Sequence, residues 1–277
     1  MARWVAMVVV MLGCAKPPPA PQFPGGIEEQ LVEDASNSVI VPVRVNGRSL
    51  RFILDSGATI SALTPATATA LGITPVGKGV VNDAITPIAI VDRLAIGSAE
   101  HRDVRVAVID LPAAKRMDVT YDGILGLDVL GRYDVVIDFA QRRLALHPIG
   151  HVSRTQASHD MARVKFRPSP HGLVLMTADV EFIPINAVLD LGAQYSLVNR
   201  AACAMGGVTV GTMSRLSHVH VGDVDLGTWK MLVGDLPIFS RSGLMPGPAI
   251  VLGADVFAHR TVVLAYRSRT VYVSKSR

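Results

Sequence analysis

The chain has 277 residues, 49% of them hydrophobic and 18% charged, enough for one large domain or two smaller ones, each with its own core. Aromatic residues make up only 5%, valine is abundant, and 24 Gly and 17 Pro are scattered throughout, which suits short strands joined by turns and argues against a helical bundle. The formal charge is +4, but Lys and Arg are dispersed rather than clustered, so a nucleic-acid-binding face is not expected.

In chain order, residues 1–13 carry one basic residue, Arg3, and then an apolar run too short to span a bilayer as a helix. This reads as a secretory signal peptide. Its end, Met11-Leu12-Gly13-Cys14, resembles the lipobox of bacterial lipoproteins, which implies cleavage before Cys14 and a lipid anchor on that residue. Residues 14–36, Pro-rich over 16–26 (KPPPAPQFPGG), then form an extended tether. The expected location is the cell envelope, with the membrane as a partner through the lipid. The alternative is a plain cleaved signal, a Pro-rich tail and a secreted protein. Lipidation of Cys14 leaves Cys203 as the sole thiol, so no internal disulfide is available. Cys203 sits in AACAMGG, a small-residue stretch without a local His, and reads as a core residue of a short helix.

The rest of the chain is written twice. Residues 41–72 align without gaps to residues 176–207, placing Asp55 on Asp190 at an offset of 135. Residues 123–147 match residues 249–274, placing Gly126 on Gly253 and Asp128 on Asp255 at an offset of 127. A weaker middle block also pairs, and the second copy is a net eight residues shorter between its outer blocks. Within the unit, Val41, Val43 and Val45 alternate with other positions, and Asn46-Gly47 is a two-residue hairpin turn. The strand 51–54 runs into Asp55-Ser56-Gly57, and residues 64–71 predict a short helix with Pro65 in its first turn. The fold class is therefore all-β with short helices: a lobe over 37–149, a polar linker over 150–162 and a second lobe over 163–277.

Duplicating a strand that ends in Asp has a chemical consequence. Two lobes related by an approximate two-fold axis bring their equivalent Asp turns together at that axis. Two adjacent carboxyls do not both ionise easily and share a proton. The ionised member can take a proton from a water that attacks a peptide carbonyl, while the protonated member hydrogen-bonds the carbonyl oxygen. No metal, cofactor or covalent nucleophile is required.

Leu54-Asp55-Ser56-Gly57-Ala58-Thr59 resembles the active-site loop of retropepsin-like aspartic peptidases, and Ile124-Leu125-Gly126 resembles that family's apolar-apolar-Gly element. Both recur as Leu189-Asp190-Leu191-Gly192-Ala193 and Val251-Leu252-Gly253. Asp-Ser-Gly alone is a weak signal; recurrence in order with both Gly elements makes it strong. The resemblance covers the chain from about residue 37 onward. It implies two closed-barrel lobes, with Asp55 and Asp190 catalytic in an endopeptidase acting on extended peptides in the cleft. It also implies that the apolar-apolar-Gly element packs under the Asp loop, where Gly126 lets two backbones approach.

The second copy departs at Leu191, where the family has Ser or Thr, whose hydroxyl bonds to the partner loop. Ser56 retains that capacity and Leu191 lacks it; losing such a bond costs on the order of 1 kcal/mol. Reduced or narrow activity is therefore expected. Ala58 and Ala193 add no hydroxyl to stabilise ionised carboxylates, so a mildly acidic optimum is expected. Residues 77–90 are long enough for a hairpin over the cleft, or else a plain surface loop, whereas residues 208–214 offer less. Asp128 and Asp255, each opening a short segment after Gly, read as N-caps. His218 and His220 face one side of a strand without a third ligand nearby and read as surface histidines. Two alternatives stay open: a peptide-binding module disabled by Leu191, and a peptidase that dimerises through lobe 1. The intact Asp190 argues against both and for a monomer.

Overall fold

The computed structural model describes residues 23, 25–31, 37–81, 83–110, 120–155, 158–159, 161–169, 172–205 and 213–275. The expected signal peptide, Cys14, most of the tether and most of residues 208–214 lie outside the described residues.

In the first lobe the strands are β1 (Ile27–Gln30), β2 (Ile40–Val45), β3 (Arg48–Leu54), β4 (Ala62–Leu63), β5 (Gly77–Val81), β6 (Ala84–Ile96), β7 (Ala99–Val108), β8 (Gly123–Leu125), β9 (Tyr133–Asp138) and β10 (Arg143–Pro148). The alternation in β2 buries Val41, Val43 and Val45, and the Asn46-Gly47 turn takes φ of 49° and 86°, which joins β2 to β3 as a tight hairpin. Strands run β2-β3-β8-β4-β7-β6, and β6 pairs back onto β2, closing a six-stranded barrel from which β5 projects as an extra strand on β6. Helix α1 (Pro65–Ala70) has Pro in its first turn and Thr64 as N-cap, whose hydroxyl accepts from Thr67 N at 3.1 Å. Helix α2 (Leu127–Leu130) follows β8.

The second lobe repeats this plan with β11 (Met161–Lys165), β12 (Arg167–Pro168), β13 (Val174–Val180), β14 (Ile183–Leu189), β15 (Leu197–Val198), β16 (Met213–Val221), β17 (Val224–Val233), β18 (Ala249–Leu252), β19 (Thr261–Ala265) and β20 (Thr270–Ser274). Its barrel runs β13-β14-β18-β15-β17-β16 and closes through β13 with β16. Helices α3 (Arg200–Met205) and α4 (Pro237–Arg241) complete it. Cys203 on α3 is fully buried in the core, as its small-residue context implied.

A third sheet, β1-β10-β9-β19-β20-β11, joins the lobes. Its central pair is β9 with β19, antiparallel, with Val136 opposite Val263. Four strands come from the ends of the two repeats, so the lobes share a continuous hydrogen-bonded platform and a common apolar cluster. The segment read as a linker contains a 3-10 turn, Val152–Arg154, fastened to β9 by Val152 N donating to Asp134 Oδ2 at 3.0 Å. Among the described residues no helix is long and apolar enough to cross a membrane.

Candidate active site

Strand β3 buries Phe52 and Leu54 and ends at Asp55. Because β3 runs parallel to β8, with Leu54 opposite Leu125, Asp55 N donates to Leu125 O at 3.0 Å and the chain turns just beyond the sheet. The second lobe does the same with β14 and β18, where Asp190 N donates to Leu252 O at 3.0 Å. Each carboxyl is held by its own turn. Gly57 N donates to Asp55 Oδ1 at 2.7 Å; Gly192 N and Ala193 N donate to Asp190 Oδ1 at 3.0 and 3.2 Å.

The two turns meet across the lobes, with each carboxyl set against the glycine of the opposite turn and close enough to act on the other's ionisation. The glycines show how close the approach is. A Cβ on Gly57 would lie 2.7 Å from Asp190 Cγ, and one on Gly192 would lie 2.4 Å from Asp55 Cγ. Glycine is required at both positions because the opposite carboxyl occupies the space a side chain would need.

Burial pushes both carboxyls above the ordinary carboxylate range. Asp55 is raised well above it, first by desolvation and then by the charge of Asp190. Asp190 is raised by desolvation, opposed by its interaction with the Asp55 carboxyl and by the hydrogen bonds from Gly192 and Ala193. The two carboxyls therefore do not both ionise readily, and the pair holds a shared proton.

Ser56 is the clasp between the lobes. Its buried Oγ donates to Leu189 O at 3.0 Å and accepts from Leu191 N at 2.9 Å. Leu191 has no hydroxyl to return these bonds; its side chain is instead fully buried in the main apolar cluster. Burying a leucine contributes about 1.5–3 kcal/mol, more than the roughly 1 kcal/mol of one neutral hydrogen bond. The second turn is thus fastened by packing, and the missing hydroxyl costs direction rather than stability.

The apolar-apolar-Gly elements lie directly under the turns. Leu127 N donates to Ala58 O at 2.8 Å, and Ala254 N to Ala193 O at 2.9 Å. A Cβ on Gly126 would lie 2.7 Å from the Ile60 carbonyl carbon, and one on Gly253 would lie 2.8 Å from Ala193 O, so backbone contact excludes any side chain.

Asp128 and Asp255 are not N-caps: Gly126 caps α2 and Ala254 caps a 3-10 turn, Asp255–Phe257, and each aspartate lies within the first turn that follows. Their carboxylates pin the Asp loops. Asp128 Oδ1 accepts from Ser61 N and Ser61 Oγ, both at 2.8 Å, while Ser61 Oγ accepts from Gly126 N at 3.0 Å. Asp255 accepts from Ser196 N on both oxygens at 3.0 Å and from Ser196 Oγ at 2.6 Å; Ser196 Oγ accepts from Gly253 N at 2.9 Å. The sequence carried a signal for these partners, because Ser61 and Ser196 also repeat at an offset of 135. Thr59 is exposed, with its Cγ2 beside Gly172 of the other lobe. Gln194, at the equivalent position, is buried and donates to Ser38 Oγ at 2.7 Å, a further tie between lobes.

Residues 77–90 form a hairpin: β5 and β6 pair from Gly77 opposite Ile88 to Val81 opposite Ala84. Ile88 at its base and Val81 near its tip join one apolar cluster with Ile60 and Ile124, which flank the Asp55 turn. His218 and His220 lie away from the carboxyl pair, on strand β16. His218 stacks on the exposed ring of Phe182 at 4.3 Å, with His220 tilted against the same ring at 6.1 Å. Among the described residues no group of three or more His, Cys, Asp or Glu is placed to hold a metal ion.

Two closed six-stranded barrels, joined by a shared sheet and presenting equivalent Asp turns to each other, fit a bilobal aspartic-peptidase-like fold. The sequence agrees over the first lobe: residues 41–129 match the family model described as aspartyl protease, from the second residue of β2 into α2, spanning the Asp55 turn and Gly126. No curated protein matches the chain.

Proposed function

We propose that this chain is an aspartic endopeptidase in which Asp55 and Asp190 form a single intramolecular pair. The observation that carries the reading is the close approach of two half-buried carboxyls, each packed against the glycine of the opposite turn and supported by the N–H groups of its own. The ionised member of the pair takes a proton from a water molecule as the water oxygen bonds to the peptide carbonyl carbon. The protonated member donates its proton to the carbonyl oxygen, giving a neutral tetrahedral diol. In the collapse one diol hydroxyl returns its proton to the carboxylate that had donated, the carbonyl re-forms, the C–N bond breaks, and the proton held by the other carboxyl passes to the leaving nitrogen, restoring the starting pair. The substrate is a peptide or protein segment bound extended between the lobes, and the protein acts as a monomer. Attachment through a lipid on Cys14 and the Pro-rich tether would present the cleft at the cell envelope.

Burial of the pair and its raised ionisation range support a mildly acidic optimum. The test is digestion of a mixed peptide library by the full chain from acid to neutral pH, read by mass spectrometry. Internal cuts, with a rate that falls as pH rises through the range of the pair, are expected. A chain that binds extended peptides and cuts none would overturn the reading in favour of a binding module with a disabled site.

A further inference from the structure

The hairpin of β5 and β6 belongs to the first lobe, yet its tip touches the second. Asp83, at φ 65° beside the β5 and β6 ends, places Oδ2 3.3 Å from Arg241 Nε. Arg241 is the last residue of α4, so its positive charge also complements the carbonyl end of that helix. Each partner stands on a base tied to one carboxyl. On the first lobe, Val81 and Ile88 pack with Ile60 and Ile124, beside the Asp55 turn. On the second, Phe239 of α4 is fully buried among Leu173, Leu175, Val188 and Val251, and Ala193 of the Asp190 turn packs on the same cluster. The ion pair therefore closes a loop: Asp55 turn, hairpin, α4, Asp190 turn.

We propose that Asp83 and Arg241 are positioning residues that latch the hairpin across the cleft, so that the covering strand is held by the second lobe as well as by its own. The pair has no counterpart in the internal repeat, because the hairpin comes from one copy and the arginine from the other. Both side chains are solvent-accessible, so the latch is weak and easily opened. That suits an element that opens to admit a peptide and re-forms over it once bound. It also makes the hairpin sensitive to ionic strength, since exposed pairs are screened by salt. The role in cleavage rests on the peptidase reading above; the latch itself does not.

The test is hydrogen exchange of the full-length protein, followed by mass spectrometry over the peptide covering 77–90. In wild type, exchange there should be about 2–5-fold slower at ~10 mM than at ~500 mM salt. Asp83→Arg and Arg241→Glu should each abolish that protection, and the combined Asp83→Arg/Arg241→Glu swap should restore it. With a cleavable peptide, each single variant should raise KM by a similar factor with kcat nearly unchanged, and the swap should reverse the rise. Salt-independent exchange in wild type, a swap that fails to restore protection, or an unmoved KM would overturn the proposal. If the exchange results hold while wild type cuts no peptide, the latch stands and the peptidase reading falls.

Discussion

The two Asp turns share a backbone and differ in how they are fastened. Both begin with an Asp N–H bonded to the strand beside it, and both rest on a Gly that no Cβ-bearing residue could replace. The first turn reaches across with a hydroxyl: Ser56 bonds to Leu189 O and Leu191 N. The second presents the buried side chain of Leu191 at the matching position, and its cross-lobe bond comes later in the loop, from Gln194 to Ser38. A hydroxyl fixes direction, whereas apolar contact stabilises without specifying one orientation. One directional clasp plus one apolar anchor at these positions is enough to set each carboxyl against the opposite turn's glycine. The lesson is that the pair depends on the first lobe for its alignment and on the second for its packing.

The most damaging way to break this asymmetry is Ser56→Ala. It strands buried Leu191 N and removes both bonds of the clasp, so a loss of about 1–3 kcal/mol in stability and a roughly 100-fold fall in kcat/KM are expected, by chemical denaturation and peptide cleavage. Next come the serines beneath the turns. Ser196→Ala and Ser61→Ala should each cost about 1–3 kcal/mol. Ser196 should be the more costly, because Asp255 accepts on both oxygens and is the more deeply buried. Leu191→Thr sharpens the comparison from the other side. It supplies the missing hydroxyl and removes apolar volume, so kcat/KM should rise a few-fold while stability drops by about 1–2 kcal/mol. An unchanged or lower rate would show that the second hydroxyl does not limit alignment.

Acidity separates two buried sites with opposite signs. The carboxyl pair has a raised ionisation range in the folded state, so its contribution to stability is whole below the ordinary carboxylate range and is lost as pH rises through the raised range. Asp55→Asn removes that dependence and should melt higher than wild type at about pH 7, with little difference at about pH 4. His147 is the reverse. It is fully buried, stacked on His151 at 5.0 Å and close under Gly26; burial lowers its ionisation range. Its contribution is present above the ordinary histidine range and is lost as pH falls. His147→Leu should slightly reduce acid weakening of the β1 attachment, read as slower hydrogen exchange over Ile27–Gln30 at about pH 5.

The repeat made much of this legible. Strand alternation at Val41, Val43 and Val45, the Asn46-Gly47 turn and the offset of 135 between Asp55 and Asp190 pointed to two β lobes with facing Asp turns. Gly126 and Gly253 were readable as close approaches because their neighbours repeat with them. The shared sheet was not readable, since pairing Val136 with Val263 depends on how two folded lobes dock and leaves no local pattern. Asp128 and Asp255 were misread as caps because an Asp after Gly fits that role locally; their serine partners lie more than fifty residues away. Asp83 with Arg241 joins unrelated parts of the two copies, so no internal symmetry could suggest it.

The central claim is that one chain supplies both members of the pair. Its most direct test is to measure cleavage of one peptide substrate by Asp55→Asn and by Asp190→Asn, each as a full-length folded monomer. The account predicts that either substitution removes cleavage to the level of the double variant. Cleavage that survives Asp190→Asn while Asp55→Asn abolishes it would contradict the account, and would assign the second carboxyl to the first lobe of another copy.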